Sequence, residues 1–161
     1  MQPPNAADQT SVKPADVVVR GSASGFLQDL TSGRHHFRCD EPVDVGGSDS
    51  APTPYDYLVG ALGACTSMTI GWYARKRKIP LTDIQVSLWH ERIHAKDCED
   101  CITKEGMIHQ IELEIRLSGT LTDEQRNLLM AAAANCPVHR TLTSEIDIKI
   151  RPATAPSASA L

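Results

Sequence analysis

The chain has 161 residues, 41% hydrophobic and 22% charged, which is the mixture of an ordinary globular domain with one core. A formal net charge of −4 offers no electrostatic reason for a nucleic-acid partner, since phosphate binding needs a clustered basic surface. The start, Met1 to Asp8, lacks the basic flank and apolar run of a signal peptide, and five cysteines are too sparse for a secreted disulfide scaffold. A cytoplasmic location is expected. Residues 57–74 carry no charge, but their glycines, serine and threonines dilute the hydrophobicity, so a central buried helix is expected there and no membrane span.

Residues 1–15 and 152–161, rich in Pro, Ala and Ser, read as disordered tails around a domain over 16–151. Asp16 to Arg20, Gly25 to Leu30 and Arg34 to Asp40 predict a three-stranded antiparallel meander with Cys39 packed at its edge, followed by a loop around Gly46 and Gly47. Thr53 is placed to cap a long helix, with Pro54 at its first position and Asp56 three residues after the cap. Leu58, Val59, Leu62, Cys65, Thr69 and Trp72 recur at helical spacing, which puts Cys65 on the expected buried stripe, opposite a side of small residues such as Ala61, Ala64 and Gly71. The basic run Arg75 to Lys78 suits a helix C-terminus.

Alternation at Ile84, Val86, Leu88 and again at Ile111, Leu113, Ile115 predicts a long hairpin around a polar segment from about His90 to Gly106. Thr122 and Gln125 have capping-box spacing for a second helix. Pro137 starts a short third helix after a break at Asn135, and Glu145 to Ile150 alternates as a last strand. The order of elements is α+β, with no βαβ rhythm.

Cys136 stands directly before Pro137, at the N-terminus of a helix, where free N–H groups stabilise a thiolate. His139 is spaced to share that face and reach the sulfur; the competing reading is a buried cysteine that merely caps the helix. Cys65 lies about three turns into its helix, beyond the terminal dipole, so an activator must come from elsewhere. Arg20, Arg34 and Arg38 are the candidates; the alternative is a core cysteine with no chemistry. His90, His94, Cys98 and Cys101 have spacing that suits tetrahedral zinc, with a secondary redox pair or a solvated loop as the other readings.

Thr53-Pro54, Gly60-Ala-Leu-Gly-Ala-Cys65, Asn135-Cys136-Pro-Val-His-Arg140, the loop Asp40 to Gly47 and the acidic strand Glu145 to Ile150 resemble the OsmC/Ohr family of thiol-dependent peroxidases over about residues 16–151. The resemblance implies an OsmC-like α+β fold, antiparallel sheets packed around a long central helix and completed as an intertwined homodimer. It implies that Cys65 attacks an organic hydroperoxide and Cys136 resolves the sulfenic acid as a Cys65–Cys136 disulfide, in oxidative-stress defence. No cofactor is then required beyond a dithiol reductant, lipoyl- or thioredoxin-like. One departure stands out: many family peroxidases carry a glutamate ten residues before the first cysteine, where this chain has Tyr55, with Asp56 one place later. The alternatives are a non-catalytic protein that binds a small apolar ligand or senses zinc, and a hydrolase built on Cys136 and His139.

Overall fold

The computed structural model describes residues 14–153, so the expected tails lie, apart from 14–15 and 152–153, outside the described residues. Two compact units divide between Tyr57 and Leu58. The first contains the expected meander: β1 (Val18–Gly21), β2 (Gln28–Ser32) and β3 (His35–Cys39), antiparallel in the order β1-β2-β3. Cys39 ends β3 as a buried side chain. Burial, then the carboxylates of Glu41, Asp40 and Asp56, push its thiol up, so it is a packing residue.

Asp40 knots the following loop. Its Oδ2 accepts from Ser48 N at 3.2 Å, Ser48 Oγ at 2.6 Å, Ser50 N at 3.1 Å and Ser50 Oγ at 2.9 Å, while the side chain is 2% exposed. The hydrogen bonds from Ser48 and from the Ser50 and Glu41 backbone hold the carboxyl well below the usual carboxylate range, against burial. A depressed folded pKa contributes stability that is whole above the unfolded value near 4 and is lost as pH falls through the folded one. Asp40→Asn is therefore expected to melt several degrees lower at pH 7 and to lose part of the parent's pH dependence below about pH 4. Parallel melting curves between pH 2 and 7 check this; coincident slopes would deny the knot its role.

The long helix α1 (Pro54–Arg77) starts as its sequence predicts. Thr53 N donates to Asp56 Oδ2 at 2.8 Å, and Asp56 N donates back to Thr53 Oγ1 at 3.2 Å. The buried stripe differs from the expected one. Leu62, Gly63, Thr66, Ile70 and Ala74 are inside, whereas Leu58 and Trp72 are exposed and Cys65 sits at the margin. A helix with apolar or small residues on every side has no single face that periodicity can pick out, and packing chose the one where Gly63 admits Leu88. A Cβ on Gly63 would lie 2.6 Å from Leu88 Cδ1. The basic run occupies the last turn as expected, with Lys76 over the Trp72 ring at 4.8 Å and Arg77 over Tyr73 at 5.3 Å.

The hairpin is β4 (Leu81–His94) with β5 (Met107–Gly119), paired from Leu81↔Gly119 to His94↔Met107 with a bulge at Leu81/Asp83. It is longer than the alternation suggested, because pairing continues through His90 and His94. The helix α2 (Asp123–Ala133) opens on the predicted capping box, Thr122 N to Gln125 Oε1 at 3.0 Å and Gln125 N to Thr122 Oγ1 at 3.2 Å. Arg126 Nη1 donates to Leu117 O at 3.0 Å and ties α2 to β5. The core joins Ile70 and Ala74 of α1, Ile79, Leu117 of β5 and Leu129 of α2. Fully burying Ile70 and Leu129 stabilises by about 2 kcal/mol each relative to exposure.

The short helix α3 (Pro137–Leu142) follows. The expected last strand does not form: residues 145–150 have no regular structure, and Ile146, Ile148 and Ile150 are 51%, 78% and 96% exposed. Alternation prepares two faces of a strand but supplies no edge to pair with, and none is met among the described residues. The architecture is α+β, with antiparallel sheets and one long helix, as expected.

Candidate active site

The Cys136 site is built by the break between α2 and α3. Asn135 N and Cys136 N donate to Ala132 O and Ala133 O at 3.0 and 3.1 Å, closing α2, and Arg140 N donates to Cys136 O at 3.0 Å, opening α3. Pro137 has no N–H, so the free donors at this helix end belong to Val138 and His139. The Cys136 side chain is fully buried. Burial pushes its thiol up, but the His139 N–H, the Thr66 hydroxyl, the Cys65 thiol and the Val138 N–H outweigh this and leave the thiol below its ordinary value.

The structure thus brings Cys65 and Cys136 together, one sulfur supplied by α1 and the other by the N-cap position before α3. Both are free thiols and they differ in access. Cys136 is enclosed, whereas Cys65 is partly exposed and lines a cavity of about 640 Å³ with Met68, Trp72, Tyr73, Leu128 and Pro137. A molecule entering the cavity meets Cys65 and not the enclosed Cys136. Sequence reasoning missed this apolar lining. No local pattern marks it, since it depends on which residues of α2 and α3 meet α1.

The remaining sequence-derived candidates differ in their surroundings. His139 acts on the sulfur through its backbone N–H; its ring Nδ1 is buried with no hydrogen-bond partner among the described residues. Asp56 is committed to the Thr53 cap, including a 2.8 Å bond from Thr53 Oγ1. Arg20, Arg34 and Arg38 all belong to the first unit, in β1, the β2–β3 turn and β3, and Arg38 Nε is paired with Asp29 Oδ1 at 3.2 Å.

The expected zinc set is not assembled. Cys98 and Cys101 are joined in a disulfide, which removes both thiolates, and His90 Nε2 and His109 Nδ1 hydrogen-bond at 2.9 Å with their rings stacked. His94 ends β4. Among the described residues no three His, Cys, Asp or Glu side chains converge to hold a metal ion. No helix of the described residues is long and apolar enough to cross a membrane.

A family model described as OsmC-like protein matches residues 47–151, a span that includes both site cysteines. The chain belongs to the OsmC-like family. Solved OsmC and Ohr structures share its fold. An organic hydroperoxide resistance protein OsmC from Legionella pneumophila aligns with TM-score 0.59 and 20% identity, over 83% of this chain and 91% of its own. OhrB of Bacillus subtilis, an organic hydroperoxide resistance protein, aligns with TM-score 0.56 and 20% identity, over 84% and 95%. A Psychrobacter arcticus 273-4 protein named for osmotic stress induction and detoxification response aligns with TM-score 0.64 and 18% identity, over 82% and 90%. No curated protein sequence matches.

Proposed function

We propose that this OsmC-like protein is a thiol-dependent peroxidase that reduces organic hydroperoxides in oxidative-stress defence. The observation that carries the reading is the pairing of an accessible Cys65, at the wall of an apolar cleft, with an enclosed and acidified Cys136. Cys65 sulfur attacks the distal oxygen of ROOH; the O–O bond breaks, ROH leaves with a proton, and Cys65 becomes a sulfenic acid. Cys136 then attacks the Cys65 sulfur, the S–O bond breaks, and water leaves as the Cys65–Cys136 disulfide closes. A dithiol reductant of the lipoyl or thioredoxin type reopens it and takes away the oxidation.

The cleft favours an apolar R group, since Met68, Trp72, Tyr73 and Leu128 line it with largely apolar surface, the Trp72 indole N–H and the Tyr73 hydroxyl being the polar groups these four offer. The working unit in this reading is a homodimer. Met68 is 72% exposed and Trp72 55%, and the unpaired alternation of Ile146, Ile148 and Ile150 presents a strand face without a sheet. A second copy would cover both kinds of surface. The site's place is then the cytoplasm, where reductants of this class operate.

The test is peptide mapping of reduced protein after one equivalent of cumene hydroperoxide, beside one equivalent of hydrogen peroxide. A rapid Cys65–Cys136 bond, formed faster with the organic oxidant, is expected. Slow oxidation scattered over the cysteines would overturn the reading and leave an OsmC-like fold with another use.

A further inference from the structure

We infer that Cys98 and Cys101 form a second redox site, a thiol–disulfide exchange centre at the tip of the β4–β5 hairpin whose substrates are uncharged or cationic dithiols. The inference stands apart from the peroxidase reading, since it concerns other sulfurs and needs no hydroperoxide.

The bond lies at the surface. Cys98 and Cys101 are half-buried, while Glu99 and Asp100 between them and Ile102 after them are exposed, Ile102 to 98%. A disulfide that solvent reaches is open to attack by a thiolate, and exposed bonds are the labile ones. Neither sulfur lines the cavity of Cys65, so a hydroperoxide held in that cavity is not their partner.

The pair is also placed to cycle. Backbone contacts close the loop without it: His94 pairs with Met107, Ala95 N donates to Gly106 O at 2.8 Å and Cys98 N donates to Ala95 O at 3.2 Å. With the bond open, the two thiols stay three residues apart on a held loop, at high effective concentration toward each other. In the forward step a dithiol's thiolate attacks one tip sulfur, the S–S bond breaks, and the other tip sulfur leaves as a thiolate and takes a proton. The donor's second thiol gives up its proton and attacks the mixed disulfide, releasing the first tip sulfur. The donor ends as a disulfide and the tip as a dithiol, two electrons and two protons having passed between them.

Charge selects the partner. Of the four residues that flank the two cysteines, Asp97, Glu99 and Asp100 are acidic and Ile102 is the exception. Lys104 Nζ donates to Glu99 O at 3.3 Å, and with Lys96 it faces four carboxylates over residues 95–106, Glu105 being the fourth. The excess negative charge repels an anionic reductant, whereas an uncharged dithiol on an alkyl chain finds apolar surface at Ile102.

The test uses full-length Cys65→Ser/Cys136→Ser protein, in which the tip is the one cysteine pair left. It is treated with dihydrolipoamide or with dihydrolipoate, the same dithiol bearing a carboxylate, then alkylated and mapped at intervals. The tip bond is expected to open in the folded protein, about threefold faster with the amide than with the acid at low salt and equally fast at high salt. Glu99→Gln/Asp100→Asn should bring the low-salt rates together. Reduced thioredoxin at equal dithiol concentration separates the sources: faster opening than by dihydrolipoamide marks a protein dithiol as the donor, slower opening a small one. A bond that opens only in denaturant would overturn the exchange centre, and equal amide and acid rates at low salt would overturn its selectivity. Should the double variant not fold, the parent mapped at the same peptide gives the same readout. A tip that stays closed in an active peroxidase, or one that exchanges in a protein inert to hydroperoxide, tells the two proposals apart.

Discussion

Cys65→Ser is expected to abolish hydroperoxide turnover, by at least about a thousandfold, because a serine hydroxyl at neutral pH is neither ionised nor polarizable enough to attack the O–O bond. The enclosed Cys136 cannot stand in for it, since the oxidant reaches the cleft wall and not the interior. Cys136→Ser has a different signature. Cys65 should still consume about one equivalent of cumene hydroperoxide per chain and then stop at the sulfenic acid, open to further oxidation by excess peroxide. Stoichiometric consumption followed by intact mass separates the two variants. The reverse pattern, one equivalent consumed by Cys65→Ser and none by Cys136→Ser, would exchange the roles. Sustained turnover in Cys65→Ser would show that Cys65 is not required for the reaction and would overturn its assignment as the attacking thiol.

A large stability loss is expected from Gly119→Ala, away from the two site cysteines. Gly119 closes β5 at φ +134 opposite Leu81, and an added Cβ would stand 2.2 Å from Pro80 O and 3.2 Å from Leu81 Cα. Both obstacles are backbone, and both are held by the hairpin and by the core around Leu117. Strain at a positive φ together with a backbone overlap puts the loss at roughly 3 kcal/mol or more. Urea unfolding should show a lower midpoint with an unchanged slope. Gly60→Ala, on α1 with nothing within 4 Å of the new Cβ, is the control and should gain about 0.5 kcal/mol or more. Equal midpoints for the two variants would mean that the backbone yields at Pro80, just before β4.

The features legible in the sequence were those set by neighbours in the chain. Thr53 with Asp56, Thr122 with Gln125, and Pro137 after Cys136 each fix a helix start within four residues, and all three stand where they were read. Alternation found the hairpin and stopped short of its full length, because the polar His90 and His94 continue a ladder whose bonds are made by backbone. The phase of α1 was misread because nearly every side of it is apolar or small, so only the packed partners Leu88 and Ile84 reveal which face is inside. The strand expected over 145–150 needed an edge that this chain, among its described residues, does not offer it.

The disulfide at the end of the β4–β5 hairpin joins residues only three apart, in a loop whose ends are already clamped, Ala95 N donating to Gly106 O at 2.8 Å. A cross-link stabilises a fold by denying the unfolded chain its freedom, and so short a loop has little to deny. Opening that bond leaves the paired strands beneath it intact. The tip is thus insulated: a change of redox state there does not reach the strands that hold the rest of the unit.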